Sequence, residues 1–287
     1  MVSVQVADLK VTLEDHEIEA SVEEGSTTSS AKANTAEITL WNINDTYYAA
    51  LKNGATIELC AGYADGSGVI FHGTIQDIDR TRDGADQKTV ITVLDSSVKT
   101  RSTDKITMNF FKGALVADGL RKVISLAGIA EGLISIPDVN FTEDTTNTAT
   151  PDNQLKFLLD YENGALMRDQ PTKYKTVKDC TRFLVVNNLA YFVPWDHCMA
   201  TVILLSYSTG LLTVEKIKKN IEAATGQDAS EGILGDYKIT SYLNYEITLG
   251  TVIQVQSDDV NGNFRVESYK HTISKTDFTT EMTVVTI

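Results

Sequence analysis

The sequence predicts a mainly β protein in which two similar antiparallel β-barrels flank a small α+β insert. Three observations carry this reading. A pattern near the N-terminus recurs near the C-terminus: Gly54-x-x-Ile57-x-Leu59 returns as Gly250-x-x-Ile253-x-Val255, a shift of 196 positions. Apolar and polar residues alternate with a period of two through both regions, as strands with one buried face do. Between them, from Phe111 to Ala127, the period changes to helical spacing.

The first region opens with Met1 to Val6 already alternating, so no signal peptide is expected. Ala36 to Asn42, Ile57 to Cys60, Val69 to Ile78 and Lys88 to Asp95 read as strands. The turns between them are Asn53-Gly54, Asp65-Gly66-Ser67-Gly68 and Asp83-Gly84, where glycine tolerates positive φ. Glu24 to Thr35, rich in Ser, Thr and small residues, reads as a loop.

In the middle, Val116, Leu120, Val123, Ile124 and Ala127 form one helical face, and Gly128 stands at the C-terminal cap position. Phe141 to Asn153 reads as a long exposed loop. A second short helix is expected from Thr176, with Asp179 in its first turn and Val177, Cys180, Phe183 and Leu184 on its apolar face. Leu189 to Trp195 follows as a strand.

The last region returns to strands at Asp236 to Tyr245, Thr251 to Ser257, Phe264 to Thr272 and Thr279 to Ile287, with Asn261-Gly262 as a hairpin turn. Val214 to Ala224 fits either a helix through Val214, Ile217 and Ile221 or a charged connection. The shift of 196 also sets Gly66 on Gly262 and Ile70 on Val266. Thr89 to Leu94 matches Thr280 to Val285 across a shorter loop. The matched residue types are common in strands, so convergence on a hairpin pattern is the competing explanation for duplication. The expected domains are 1–104 and 199–287 as barrels and 105–198 as the insert.

With 287 residues and 42% apolar content, the chain has material for real cores. Its formal net charge of −14 argues against a polyanion ligand, because sequence-independent nucleic-acid affinity comes from Lys and Arg neutralising phosphates. The three cysteines, Cys60, Cys180 and Cys198, are odd in number and widely spaced, which argues against a disulfide framework or a zinc site. Met199 to Leu205 is the longest apolar run and is strand-sized, so no membrane insertion is expected.

Candidate chemistry is sparse. Trp195-Asp196-His197-Cys198 holds three reactive types in a row, but neighbours on a strand point to opposite faces and cannot converge. Asp77, Asp79, Asp83, Gly84 and Asp86 resemble a calcium loop at a glance. However, Thr81, Arg82 and Lys88 occupy its fifth, sixth and twelfth positions, so a hairpin with an acidic rim is expected. Asp258-Asp259-Val260-Asn261-Gly262 reads the same way. His16, His72, His197 and His271 lack metal-like spacing. No catalytic, cofactor-binding or metal-binding residue is assigned, and no cofactor is expected.

Several short stretches, in order, resemble tail hub proteins of contractile phages, phage-derived bacteriocins and related injection machines. They are Asn42, Leu51 to Ile57, Ala61-Gly62-Tyr63 and Ile70 to Ile75, then Tyr207 to Leu212, Leu243 to Val255, Asn261 to Val266 and the strand through His271. The resemblance covers most of the chain. It implies a non-enzymatic baseplate protein forming a homotrimer, with two tube-like barrels per subunit making a pseudo-sixfold ring around the tail channel. One face would continue a hexameric tail tube; the other would receive a trimeric spike, with other baseplate proteins around it. It implies assembly in the bacterial cytoplasm and residence in a virion or tail-like particle. From the residues alone, a β-rich hydrolase or carbohydrate-processing enzyme and a different tube or baseplate component stand as alternatives. An enzyme requires a deep pocket with convergent acids or histidines; a hub requires a self-associating ring surface.

Overall fold

The computed structural model describes residues 1–25, 34–64, 66–95, 102–176, 179–199, 201–217 and 235–287. They form two compact units, one from the described residues of 1–95 and 198–287, the other from 102–197.

The first half of the first unit contains β1 (Val2–Val6), β2 (Leu9–Thr12), β3 (Ile18–Gly25), β4 (Thr35–Trp41), a short helix α1 (Asp45–Ala50), β5 (Thr56–Tyr63), β6 (Gly66–Asp83) and β7 (Asp86–Leu94). Asn44 starts α1 by accepting a hydrogen bond from the Tyr47 amide at 2.9 Å. The ladders run β3-β4-β7-β6-β5-β1-β2. At 18 residues, β6 pairs β5 through its first part and β7 through its second. Alternate residues of these strands, including Ile38, Ile57, Leu59, Phe71, Ile75 and Ile91, fill one apolar core.

The second unit is the insert: β8 (Ile106–Phe110), α2 (Val116–Leu126), β9 (Ala130–Ile134), β10 (Thr145–Ala149), α3 (Pro151–Asp169), β11 (Thr181–Val186) and β12 (Leu189–Pro194). A two-stranded sheet, β10-β8, and a three-stranded sheet, β11-β12-β9, accompany the two helices. Helix α2 buries Val116, Leu120, Val123 and Ile124 as the spacing selected, Ala127 is its half-buried C-cap, and Gly128 follows at φ 70°. The expected exposed loop over 141–153 is corrected. Phe141 is buried and stacks on Phe110 with ring centroids 4.7 Å apart, β10 takes 145–149 and α3 begins at Pro151, so that only Thr142 to Asp144 are the exposed loop expected. Helix α3 escapes the apolar pattern because its inner face is partly polar: Gln154 donates to the carbonyls of Ile106 and Asn147, both at 3.0 Å. The expected helix from Thr176 is also corrected, although Val177 lies outside the described residues. Phe183 and Leu184 belong to β11, whose β-branched and aromatic run pairs with β12. Asn187 (φ 51°) and Asn188 (φ 64°) make the two-residue turn between these strands. Asp179 instead accepts from the amides of Thr176 and Lys175 at 2.8 and 3.0 Å.

The chain then rejoins the first unit with β13 (Val202–Ser206), β14 (Leu211–Lys216), β15 (Tyr237–Tyr242), β16 (Val252–Gln256), β17 (Asn261–Ile273) and β18 (Phe278–Thr286). Val214 therefore lies on a strand rather than a helix, and Ile221 lies outside the described residues. These ladders run β13-β16-β17-β18-β15-β14. The first half has the same order, β1-β5-β6-β7-β4-β3, strand for strand. The one difference in sense is that β13 runs parallel to β16, whereas β1 is antiparallel to β5.

The equivalence reaches individual bonds. Gly54 and Gly250 adopt φ 86° and 81°, a region costly for side chains with a Cβ. The Gly54 amide donates to Ile75 O at 2.8 Å and Ile75 returns a bond to Ala55 O at 2.9 Å. Likewise Gly250 donates to Val266 O at 2.9 Å and Val266 to Thr251 O at 3.0 Å. A bulge follows in both strands, after Ile75 and after Val266. This corrects the alignment of the second strands: Val266 matches Ile75 rather than Ile70, and Gly262 matches Phe71 rather than Gly66. Thr56 onto Val252 is a shift of 196 and Ile75 onto Val266 a shift of 191, because the second hairpin is five residues shorter.

The two halves share one sheet, joined where β17 pairs antiparallel with β3, from Ser268 opposite Gly25 to Ile273 opposite Ala20. Continuity of the sheet thus coexists with internal pseudo-symmetry.

Candidate assembly surface

Buried titratable side chains converge at the β17–β3 junction. Glu24 lies opposite Tyr269, whose hydroxyl hydrogen-bonds it, and Asn34 donates to Asp95 at 2.8 Å. All four are buried. Burial pushes the Glu24 carboxyl up to about 8, so it is largely protonated at neutral pH, and the Tyr269 hydroxyl is raised well above its usual value for the same reason. His271, 1% exposed, is pushed down to about 3 by burial, and its Nδ1 lies 2.8 Å from the Thr280 hydroxyl. These groups are neutral or hydrogen-bonded and shielded from water. The arrangement locks two strands together; a reaction would need a substrate-sized space beside these groups. Sequence reasoning missed the cluster because its members come from four distant segments.

The residues weighed as chemistry in the sequence do not converge. Asp77, Asp79 and Asp83 line the exposed distal part of β6, interleaved with Arg80 and Arg82, and Asp83 faces Asp86 across a hairpin turned by Gly84 at φ 63°. Asp258 and Asp259 lie in the turn between β16 and β17, which Ser257 closes by accepting from the Val260 amide at 3.0 Å. Trp195 is buried just past the end of β12, so Asp196, His197 and Cys198 follow that strand rather than lying on it. His16 packs edge-on against Tyr47 at 5.8 Å. Among the described residues, no three His, Cys, Asp or Glu side chains gather as a metal ion would require. A small pocket beside β1, β2 and α1 is lined by Val4, Val6, Leu9, Leu40 and Tyr47, with no acid or histidine among its walls.

What the first unit does present is strand edge. Among the described residues, β14 pairs only β15, and β2 pairs only β1. The distal part of β6, from Asp77 to Asp83, pairs β7 on one side and, among the described residues, carries no strand on the other. Large apolar side chains stand exposed along the second half: Val202 and Leu204 on β13, Tyr207 in the 3-10 turn before β14, Leu212 on β14, and Tyr242 at the end of β15. Unpaired edges with exposed apolar residues suit association. Of these, Tyr207 and Leu212 lie in a stretch that the sequence had already singled out.

The sequence matches no protein-family model and no curated protein sequence. Solved structures do match over nearly the whole chain. A tail protein from Neisseria meningitidis shares 10% identity at a TM-score of 0.64, covering 99% of this chain and 95% of its own. The 43 kDa tail protein of prophage MuSo2 from Shewanella oneidensis gives 10% identity and a TM-score of 0.65, over 99% and 96% of the two chains. The E. coli c3393 protein gives 10% and 0.63, over 99% of this chain and 76% of its own. That protein is described as a type VI secretion component similar in structure to the bacteriophage T4 tail proteins gp27 and gp5. At such identities the likeness is one of fold: this chain has the fold of phage tail proteins and of a type VI secretion component.

Proposed function

We propose that the protein is a structural hub of a phage tail or related contractile injection machine. Three copies form a ring of six similar β modules that adapts a hexameric tail tube to a trimeric spike. In this reading 1–104 and 199–287 are the tube-like barrels, 105–198 is an insert exclusive to neither, and other baseplate proteins surround the ring. The protein assembles in the bacterial cytoplasm and ends in the virion or tail-like particle. It carries out no catalysis.

The observation that supports this most is the internal pseudo-symmetry: six strands in the same order twice, with matched glycine turns and matched bulges. A trimer of such a chain matches a sixfold partner on one face and a threefold partner on the other. The fold likeness to tail proteins agrees with it. Each chain carries a formal charge of −14, so the ring concentrates negative charge that repels at low salt and is screened near physiological ionic strength, where the screening length is about 8 Å. The test is native mass together with imaging of the assembled particle. A trimer, favoured by salt or by the tube or spike protein, with a sixfold-like ring around an open acidic channel is expected. A stable dimer, or a monomer that never joins a larger particle, would overturn the proposal.

A further inference from the structure

We propose that copies of this chain join head to tail through a β-ladder that repeats, between molecules, the β17–β3 ladder within one molecule. The inference deepens the ring reading above and rests on it.

The argument is one of equivalence. The shift of 191 places the distal part of β17 on the distal part of β6: Tyr269 on Ile78, His271 on Arg80 and Ile273 on Arg82. Their partners on β18 and β7 match in the same register throughout. β14 takes the place of β3 in the same way, because Val214 faces Ile239 as Ala20 faces Ile38, and Lys216 faces Tyr237 as Val22 faces Ala36. Within the chain, β17 and β3 are paired. Their counterparts, β6 and β14, each have an edge with no partner strand among the described residues. A free strand edge is a row of unsatisfied backbone donors and acceptors. Here a chain carries two such edges whose counterparts already bind each other.

Carrying the β17–β3 register across gives the intermolecular pairs: Val214 of one copy opposite Arg82 of the next, Glu215 opposite Thr81, and Lys216 opposite Arg80. The contact is heterologous, using different surfaces on the two copies, so repetition closes a ring or grows a filament. Two junction types alternate around a three-chain ring, one covalently continuous and one not, which makes six. Arg80 reaches the position opposite Lys216 with its guanidinium already held by Asp45 at 3.3 Å and Gln87 at 2.6 Å. Two like charges facing each other weaken the junction alone and fit a contact completed only when a tube or spike partner is present.

The test is a cysteine pair at one predicted register point, Arg82→Cys with Val214→Cys, in the full chain under conditions where the native trimer forms. Directly opposed residues of an antiparallel pair lie about 4.5–5.5 Å apart between Cα atoms, within disulfide reach. Mild oxidation should convert most of the double variant to covalent trimer. An equimolar mixture of the two single variants should stop at covalent dimer. Each single variant alone, which keeps Cys60, Cys180 and Cys198, should give neither. The offset pair Arg82→Cys with Lys216→Cys should cross-link at least tenfold less. A native trimer that the Arg82–Val214 pair fails to cross-link would overturn the ladder and leave the ring standing, as would equal cross-linking of the offset pair. Dimers from one single variant alone would overturn the head-to-tail sense. Failure to form any trimer, with salt or with partner, would overturn the ladder and the ring together.

Discussion

The distal part of β17 and the distal part of β6 occupy the same place in two copies of one strand pattern, yet they are built from opposite chemistry. In β17 the residues after the bulge include Tyr269, His271 and Ile273, all buried. In β6 their counterparts are Ile78, Arg80 and Arg82, flanked by exposed Asp77, Asp79, Thr81 and Asp83. The first strand is covered by β3 from the moment the chain folds and can be core. The second has no strand beside it among the described residues, and charge on such an edge discourages indiscriminate pairing. The difference teaches that position in the repeat fixes the backbone, whereas the presence or absence of a neighbouring strand decides the side chains.

The sharpest way to break the comparison is to exchange the matched residues. His271→Arg places an always-charged guanidinium where the native ring is neutral and 1% exposed. Burying an unpaired charge is among the most destabilising single changes, so a loss of about 4 kcal/mol or outright unfolding is expected in denaturant titration. The reciprocal Arg80→His removes a contact over the Tyr48 ring at 4.0 Å and an ion pair with exposed Asp45. It should cost only about 1 kcal/mol. Similar losses from both would mean that the two strands are not differently buried.

A second test reads the junction through pH. His271 has a folded pKa of about 3, below its usual value, so the unfolded chain takes up a proton first as pH falls from about 6.5 to 3, and stability drops over that window. Glu24 has a folded pKa of about 8, above its usual value, so the folded state holds the extra proton and stability drops as pH rises from about 4.5 to 8. Between about 4.5 and 6.5 the two slopes oppose each other; alkaline of that, the Glu24 contribution stands alone. Glu24→Gln should therefore flatten the decline between pH 6.5 and 8, by on the order of 2 kcal/mol from a one-proton slope. An unchanged slope in chemical denaturation at these pH values would mean that Glu24 is not held protonated.

The matched turns give a smaller and symmetric test. Gly54→Ala and Gly250→Ala each force a Cβ into positive φ, at 86° and 81°. With nothing within 4 Å of the Gly54 position, the penalty there is conformational and should be about 1–2 kcal/mol. Thermal unfolding of the two variants should shift by similar amounts. A difference of several kcal/mol would show that the turns bear unequal load despite equal geometry.

These turns were also the most legible part of the chain. Gly54 and Gly250, the alternation of β5, β7, β16 and β18, and the apolar face of α2 all depend on local spacing, which a single sequence displays. The strand match between them is not legible from equal spacing, because the hairpin is five residues shorter in the second half. Helix α3 was missed although Thr150, Pro151 and Asp152 are a recognisable start. Buried Gln154, Glu162 and Asn163 interrupt its apolar face because they satisfy β8, β10 and β11 partners rather than fill a core. The candidate surface was least legible of all. Pairing of Glu24 with Tyr269 has no local signature, and a free edge is defined only once every other ladder is known.

The smallest expected effect concerns an ion pair between the paired strands of the intramolecular junction. Lys270 on β17 donates to Glu23 on β3 at 2.8 Å, and both side chains are nearly half exposed. Their counterparts at the intermolecular junction are Asp79 and Ile217, which cannot form such a pair. If ion pairing held the junctions together, Lys270→Gln would loosen the intramolecular one substantially, and its absence between molecules would be a defect. Exposed pairs typically contribute 0.2–1 kcal/mol, because water already solvates both charges and ordering two long side chains costs entropy. Lys270→Gln should therefore lower stability by about 0.5 kcal/mol and become neutral at high salt. A loss above about 2 kcal/mol in the same denaturant titration would mean that charge, rather than the backbone ladder and the buried Tyr269–Glu24 contact, holds β17 to β3. The intermolecular ladder would then lack its main source of affinity.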